Sequence, residues 1–182
     1  MKISTKTGDK GNTNLPSGDR VSKGTNIVKF LGELDELQSF LGWCRFVVGV
    51  EDGKEACKIV DRVQEDLFRM MSIAGADMKT LETVDEISDK DVKFLEKEIE
   101  KYEKFVGDRK EFVKPGKTEA GSRFHIARAV CRRAERYAVR YFESLKNGKN
   151  QQSGKIVQSD FLLKYLNRLS DLLFLLACKF EG

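Results

Sequence analysis

Five arginines fall within thirteen residues: Arg128, Arg132, Arg133, Arg136 and Arg140, with no lysine among them. At helical spacing Arg128, Arg132 and either Glu135 or Arg136 share one face, and Arg133, Arg136 and Arg140 form an adjoining one. Guanidinium groups hold several phosphate oxygens at once. Glu135 beside them can orient an arginine by an ion pair. A solvated helix face has the same composition. A second segment has different chemistry: Thr5-Lys6-Thr7-Gly8-Asp9-Lys10-Gly11-Asn12-Thr13, continuing to Gly18-Asp19-Arg20-Val21-Ser22-Lys23. Its glycines let backbone N–H groups approach a ligand closely, its lysines and hydroxyls suit phosphate oxygens, and Asp9 can help place a magnesium ion. The Gly-x-x-x-x-Gly-Lys-Ser/Thr spacing of a P-loop is absent. Composition alone fits a solvated tail equally well.

A third segment interrupts an apolar stretch with polar groups: Tyr165-Leu166-Asn167-Arg168-Leu169-Ser170-Asp171. Asn167 and Asp171 stand at i and i+4 on one face. Polar groups among core residues need partners, which a neighbouring helix or a bound ligand can supply. Phe112 lies in the loop Glu111-Phe-Val-Lys-Pro-Gly116 and either anchors that loop on the core or faces a pocket. His125, the sole histidine, reads first as a structural residue.

That single histidine excludes His-rich zinc sites and the di-iron bundle with paired Glu-x-x-His motifs. The four cysteines, Cys44, Cys57, Cys131 and Cys178, form no Cys-x-x-Cys pair and read as reduced thiols. Charged residues reach 34 %, yet 33 basic and 29 acidic side chains leave a net charge of only +4. That balance argues against a nucleic-acid binder. No apolar run approaches the length of a membrane span, and the first residues lack the apolar core of a signal peptide, so the expectation is a cytoplasmic protein without membrane contact.

The elements that must position these segments are helices. Only Pro16 and Pro115 break 182 residues, which favours long helices. Ile27, Leu31, Leu34, Leu37, Leu41 and Cys44 recur at three and four. Asp52-Gly53 marks a turn. Cys57, Val60, Val63, Leu67 and Ala74 form a second stripe. Ser88 with Asp91 reads as a capping-box start, and Val92, Leu95, Ile99, Tyr102 and Val106 continue it to Gly107. A linker, Lys110 to Gly121, precedes a helix from about Ser122 to Leu145. The last helix runs from about Ser159 to Lys179. The expectation is a single all-α domain over residues 1–182. Residues 1–24 form a ligand-binding arm, and 25–182 an up-down, ferritin-like five-helix bundle.

Taken together, the chain resembles the PduO-type ATP:cob(I)alamin (corrinoid) adenosyltransferases. The resemblance covers nearly its whole length. It rests on Thr7-Gly8-Asp9-Lys10-Gly11, Gly18-x-Arg20-Val-x-Lys23, Leu34-Asp35-Glu36-Leu37 and Phe112-Val-x-Pro115-Gly116. It rests also on Ala127-Arg128-x3-Arg132-Arg133-Ala134-Glu135-Arg136 and Tyr165-Leu-Asn167-Arg168-Leu-Ser-Asp171. It implies a homotrimer with active sites between subunits. Thr5, Thr7, Gly8, Asp9, Lys10 and Lys23 of the arm would hold ATP, with Arg132, Glu135, Arg136 and Asn167 completing the nucleotide site. Glu135 would serve the magnesium ion near the phosphates. Asp35 and Arg128 match an intersubunit salt bridge beside the corrinoid, and Phe112 matches the aromatic that keeps the lower axial ligand off cobalt. Phe112, Asp35, Arg128 and Arg132 are therefore the expected catalytic set. The chain departs from the usual pattern at Gln38, Lys117 and Phe124.

The implied reaction moves the 5′-deoxyadenosyl group of ATP to cobalt(I) and releases triphosphate. Cobalt(I) is the nucleophile, so no activated serine, cysteine or second histidine is needed. The protein must align cobalt with C5′ and stabilise charge on the leaving group. A reductase and an adenosylcobalamin-dependent enzyme are the implied protein partners. The competing expectation is a non-enzymatic nucleotide-sensing bundle that binds ATP without corrinoid turnover.

Overall fold

The structure is a computed structural model, and it describes residues 4, 6–50, 53–77, 81–107, 113–146 and 153–182, less the side chains of 153, 154, 156 and 157. Among the described residues there are five helices: α1 (Asn26–Val50), α2 (Lys54–Gly75), α3 (Asp89–Val106), α4 (Glu119–Lys146) and α5 (Ser153–Glu181). A short antiparallel hairpin precedes them, β1 (Asn12–Asn14) paired with β2 (Arg20–Ser22), with Thr13 opposite Val21.

Cross-helix contacts fix the directions. Gln38 donates to the Gln64 carbonyl at 2.8 Å and Gln64 returns a bond to the Gln38 carbonyl at 3.2 Å, while Arg45 pairs with Asp61. Residue numbers rise on α1 as they fall on α2, so the two are antiparallel. Arg123 lies over the Trp43 ring, Arg133 meets Glu33 and Phe30 stacks on Tyr141, so α4 also runs against α1. Lys155 meets Tyr141 and Cys131 meets the Leu166 carbonyl, which sets α5 against α4. Glu96 pairs with Arg168 and Lys179 sits over Tyr102, so α3 lies parallel to α5. The five helices alternate up and down, as expected.

The apolar stripes explain the packing. Leu34, Leu37, Leu41, Val63, Leu67, Leu95, Phe124, Leu166, Leu169 and Leu173 are buried in one core that draws on all five helices. Each such side chain contributes about 1.5–3 kcal/mol by burial. α3 begins as its sequence dictates. The Asp91 carboxylate accepts from the Ser88 backbone N–H at 2.9 Å and from its hydroxyl at 3.0 Å. Gly107, at φ 70°, ends the helix by bonding the Glu103 carbonyl.

Three boundaries differ from the reading of the sequence. α4 starts at Glu119 because the Thr118 hydroxyl accepts from the Gly121 N–H at 3.0 Å, an N-cap inside the presumed linker. α5 starts at Ser153, where polar side chains give no apolar period. The arm carries the hairpin β1–β2, whose strands are too short and too polar to alternate visibly. Segment 147–152 and the turn at Asp52 lie outside the described residues.

Candidate functional site

The arm is held at its base. Pro16 packs so closely on Gly75 that a Cβ there would meet the proline Cδ at 2.7 Å. The Ser17 N–H donates to the Gly75 carbonyl at 3.2 Å. Across the hairpin, Arg20 donates to the Thr7 carbonyl at 2.8 Å and to the Asn14 side chain at 3.3 Å. The Lys23 N–H bonds the Gly11 carbonyl at 2.9 Å, and its ammonium lies 3.0 Å from the point a Gly8 Cβ would occupy. The Lys23 ammonium therefore sits against the Thr7–Lys10 turn at Gly8. Asp9 and Lys10 are exposed on that turn. The hairpin so gathers Thr7, Gly8, Asp9, Lys10 and Lys23. Thr5 lies outside the described residues.

The arginine run on α4 divides. Arg133 donates to Glu33 and Glu36 of α1 and so ties two helices. Arg140 lies over the Tyr137 ring. Arg136 donates to the Arg132 carbonyl at 2.9 Å. The Arg132 guanidinium makes no hydrogen bond or ion pair among the described residues, and the buried Nε of Arg128 has no partner there either. Among the described residues Glu135 forms no ion pair with an arginine, the role its position in the sequence suggested. It accepts instead from the Asn167 amide at 3.4 Å, while the Asn167 carbonyl accepts from Arg168 at 2.9 Å. Asn167 and Glu135 thus meet across α4 and α5.

Two cavities share Arg128. One, of about 320 Å³, is lined by Glu103, Arg128, Arg132, Ser170, Asp171 and Phe174. The sequence singles out Asp171 in a motif without giving it a role. The structure places it beside the two unpaired arginines. The other, of about 640 Å³, lies between α1, α4 and the loop before α4, with Phe40, Pro115, Gly116, His125, Ile126 and Arg136 on its walls. Phe112 precedes that loop but lies outside the described residues. Burial holds His125 below the usual imidazole range, with the nearby Glu181 opposing and Arg128 reinforcing the shift, so the ring is neutral.

Asp35 lies elsewhere. It opens onto a third cavity, of about 520 Å³, between α1, α2 and the arm, with Thr13, Pro16, Leu31, Phe68 and Met71. That cavity shares no lining residue with the other two. Within one chain, then, the arm and Asp35 belong to the α1–α2 side. Arg128, Arg132, Glu135 and Asn167 belong to α4 and α5.

Among the described residues Cys44, Cys57, Cys131 and Cys178 form no disulfide, and burial pushes the Cys44 thiol up to about 12. No group of three His, Cys, Asp or Glu side chains gathers to hold a metal among the described residues. Among them, too, no helix is long and apolar enough to cross a membrane. Magnesium commonly takes one or two carboxylates and fills its remaining positions with substrate phosphates and water. A single carboxylate such as Glu135, on the same helix as the unpaired arginines, fits that habit.

A helical bundle with a glycine–lysine arm and unpaired arginines lining two cavities has the donors that a small anionic ligand needs. The family of cobalamin adenosyltransferases matches residues 3–180, and the chain belongs to it. The corrinoid adenosyltransferase PduO of Salmonella typhimurium is 33% identical over 97% of this chain, which spans only 49% of that protein's length. The corrinoid adenosyltransferase of Bacillus subtilis is 35% identical over 96% of this chain and 83% of its own. Among solved structures, a variant PduO-type ATP:corrinoid adenosyltransferase from Lactobacillus reuteri, complexed with cobalamin and ATP, superposes with a TM-score of 0.81. It is 29% identical and covers 99% of this chain and 93% of its own.

Proposed function

We propose that this chain transfers the 5′-deoxyadenosyl group of ATP to cobalt(I) of a corrinoid and releases triphosphate. The observation that carries the reading is the pair of unpaired arginines, Arg128 and Arg132, over cavities in a bundle of this family. Cobalt(I) donates an electron pair to C5′ as the C5′–oxygen bond breaks, and that bond's electrons leave on the triphosphate. Lys10, Lys23, Arg132 and Arg136 bind the phosphates and offset the growing negative charge. Asn167 and Glu135 orient one another across α4 and α5. Glu135 would hold magnesium, which on binding neutralises phosphate charge. The apolar walls of the 640 Å³ cavity suit the corrinoid, and Phe112, as the family resemblance implies, would exclude a lower axial ligand from cobalt.

The site is completed between copies. Asp35 and the arm lie on one side of the chain and the arginines on another, so one chain alone does not bring Asp35 to Arg128. A homotrimer joins Asp35 of one copy to Arg128 of the next, and exposed Phe68 beside Asp35 favours coverage of that side. Residues 1–24 serve as the ATP-binding arm and 25–182 as the bundle. A cytoplasmic setting, with a reductase and an adenosylcobalamin-dependent enzyme nearby, suits the reaction.

The test is spectroscopic: protein, reduced corrinoid, ATP and magnesium are mixed and the absorbance of the adenosylated corrinoid is followed. Its appearance supports the reading. ATP binding without product would establish the nucleotide-sensing alternative.

A further inference from the structure

The end of α5 returns to the loop before α4. The Glu181 carboxylate accepts from the Gly116 backbone N–H at 2.9 Å and from the Lys117 N–H at 3.4 Å. The adjoining Phe180 carbonyl accepts from the Thr118 hydroxyl at 2.8 Å, and the Phe180 ring stacks on Phe124 at 5.7 Å between centroids. The second carboxylate oxygen of Glu181 lies 3.5 Å from His125 Nε2. Lys117 and Phe124, two of the chain's departures from its family's usual pattern, therefore both meet this terminal turn of α5.

The route of the carboxylate is built into the backbone. A Cβ at position 121 would lie 2.2 Å from the Glu181 Cγ and 3.1 Å from the Ala177 carbonyl, so only glycine lets Glu181 cross α4 here. Gly116, at φ 120°, holds a conformation that L side chains rarely adopt. Pro115, Gly116 and His125 in turn line the 640 Å³ cavity. Burial raises the Glu181 carboxyl, but the two amides and His125 bring it below the usual range, so it is ionised.

We infer that Glu181 is a positioning residue for corrinoid binding, clasping the Pro115–Gly116 wall of the 640 Å³ cavity to α5. The inference rests on the corrinoid reading of that cavity. The clasp acts through the loop and touches no substrate. Charge-assisted bonds to backbone amides are stronger than neutral ones, and without the carboxylate the exposed Gly116–Lys117 turn bonds water instead and is free to move.

The test uses the full chain and its Glu181→Ala, Glu181→Asp and Glu181→Gln variants. It reads amide hydrogen exchange at Gly116, cobalamin binding by spectral titration, and ATP binding by calorimetry. In Glu181→Ala the Gly116 amide exchanges at least about tenfold faster, and cobalamin affinity falls about tenfold, with ATP affinity within about twofold. Glu181→Gln, whose amide oxygen can still accept from Gly116, recovers most of both losses. Glu181→Asp, one methylene too short, resembles Glu181→Ala and serves if the alanine variant does not fold. Unchanged cobalamin affinity in both Glu181→Ala and Glu181→Asp, or an equal loss of ATP affinity, overturns the inference. Failure of the unsubstituted chain to bind cobalamin overturns the corrinoid reading itself, whatever the exchange at Gly116 shows.

Discussion

Two clusters of charge in this bundle follow opposite rules. Between α2, α3 and α5, Asp66 is fully buried and accepts from the Tyr165 hydroxyl at 2.8 Å, from Arg62 at 3.3 Å and from Arg69. Asp91 joins the same arginines at 2.6 and 2.7 Å and caps α3 through Ser88. Each acid has at least two donors. On α4, Arg132 has no partner and Arg128 leaves a buried nitrogen unsatisfied among the described residues. The first cluster spends its hydrogen bonds on the fold. The second keeps its donors for something outside the chain. Arginine count does not separate the two, since both are rich in it; pairing does.

The largest effect expected from breaking the paired cluster is on stability. Asp66→Ala leaves the buried Tyr165 hydroxyl without its acceptor and removes one of the two carboxylates that Arg62 and Arg69 share, at a cost of about 2–4 kcal/mol. A denaturant melt measures it, and a loss below about 1 kcal/mol would remove the network from the structural role given to it. Arg132→Ala is the mirror case. Its rate of adenosylation falls on the order of 10²–10³-fold while the melt changes by no more than about 0.5 kcal/mol. Parallel loss of fold and activity would instead make Arg132 a structural residue.

Acid sharpens the comparison further. Burial raises the Asp91 carboxyl, but the Arg69 and Ser88 bonds outweigh it and hold the group below its usual range. A carboxyl lowered by folding stabilises fully above its unfolded pKa, and that contribution fades as pH falls through the folded one. Neutral, buried His125 acts earlier. Its folded pKa is depressed, so stability begins to drop as pH falls below the unfolded imidazole value of about 6.5. Melts against pH should show two acid steps, with His125→Gln removing the upper and Asp91→Asn shrinking the lower, to which Glu181 also contributes. The smallest effect belongs to Arg133. Its ties to Glu33 and Glu36 are partly exposed, so Arg133→Ala costs about 1 kcal/mol or less in a denaturant melt.

The helices were legible because leucine and valine spacing at three and four is a direct record of a buried stripe. Ser88 and Asp91 marked the start of α3 for the same local reason. The arginine run was visible as composition, but its division was not. Arg133 finds its carboxylates about a hundred residues earlier in the chain, a distance no local pattern spans. Asp66 left no signal, since one acid beside an apolar stripe reads as its solvated edge until α5 brings Tyr165 onto it. Glu181 was silent likewise, because its partners are backbone amides of a distant loop. The hairpin of the arm escaped because polar three-residue strands carry no alternation.

In the proposed assembly, the unpaired arginines and the distant arm become one site when two copies meet. Co-assembling Lys10→Ala chains with Arg132→Ala chains tests this most directly. Each variant alone turns over poorly. With the arm of one copy serving the arginines of another, random mixing restores about one quarter of the sites, and adenosylation returns to roughly that fraction. Mixed assemblies no more active than the two variants apart would show that arm and arginines act within a single chain, and would contradict the account.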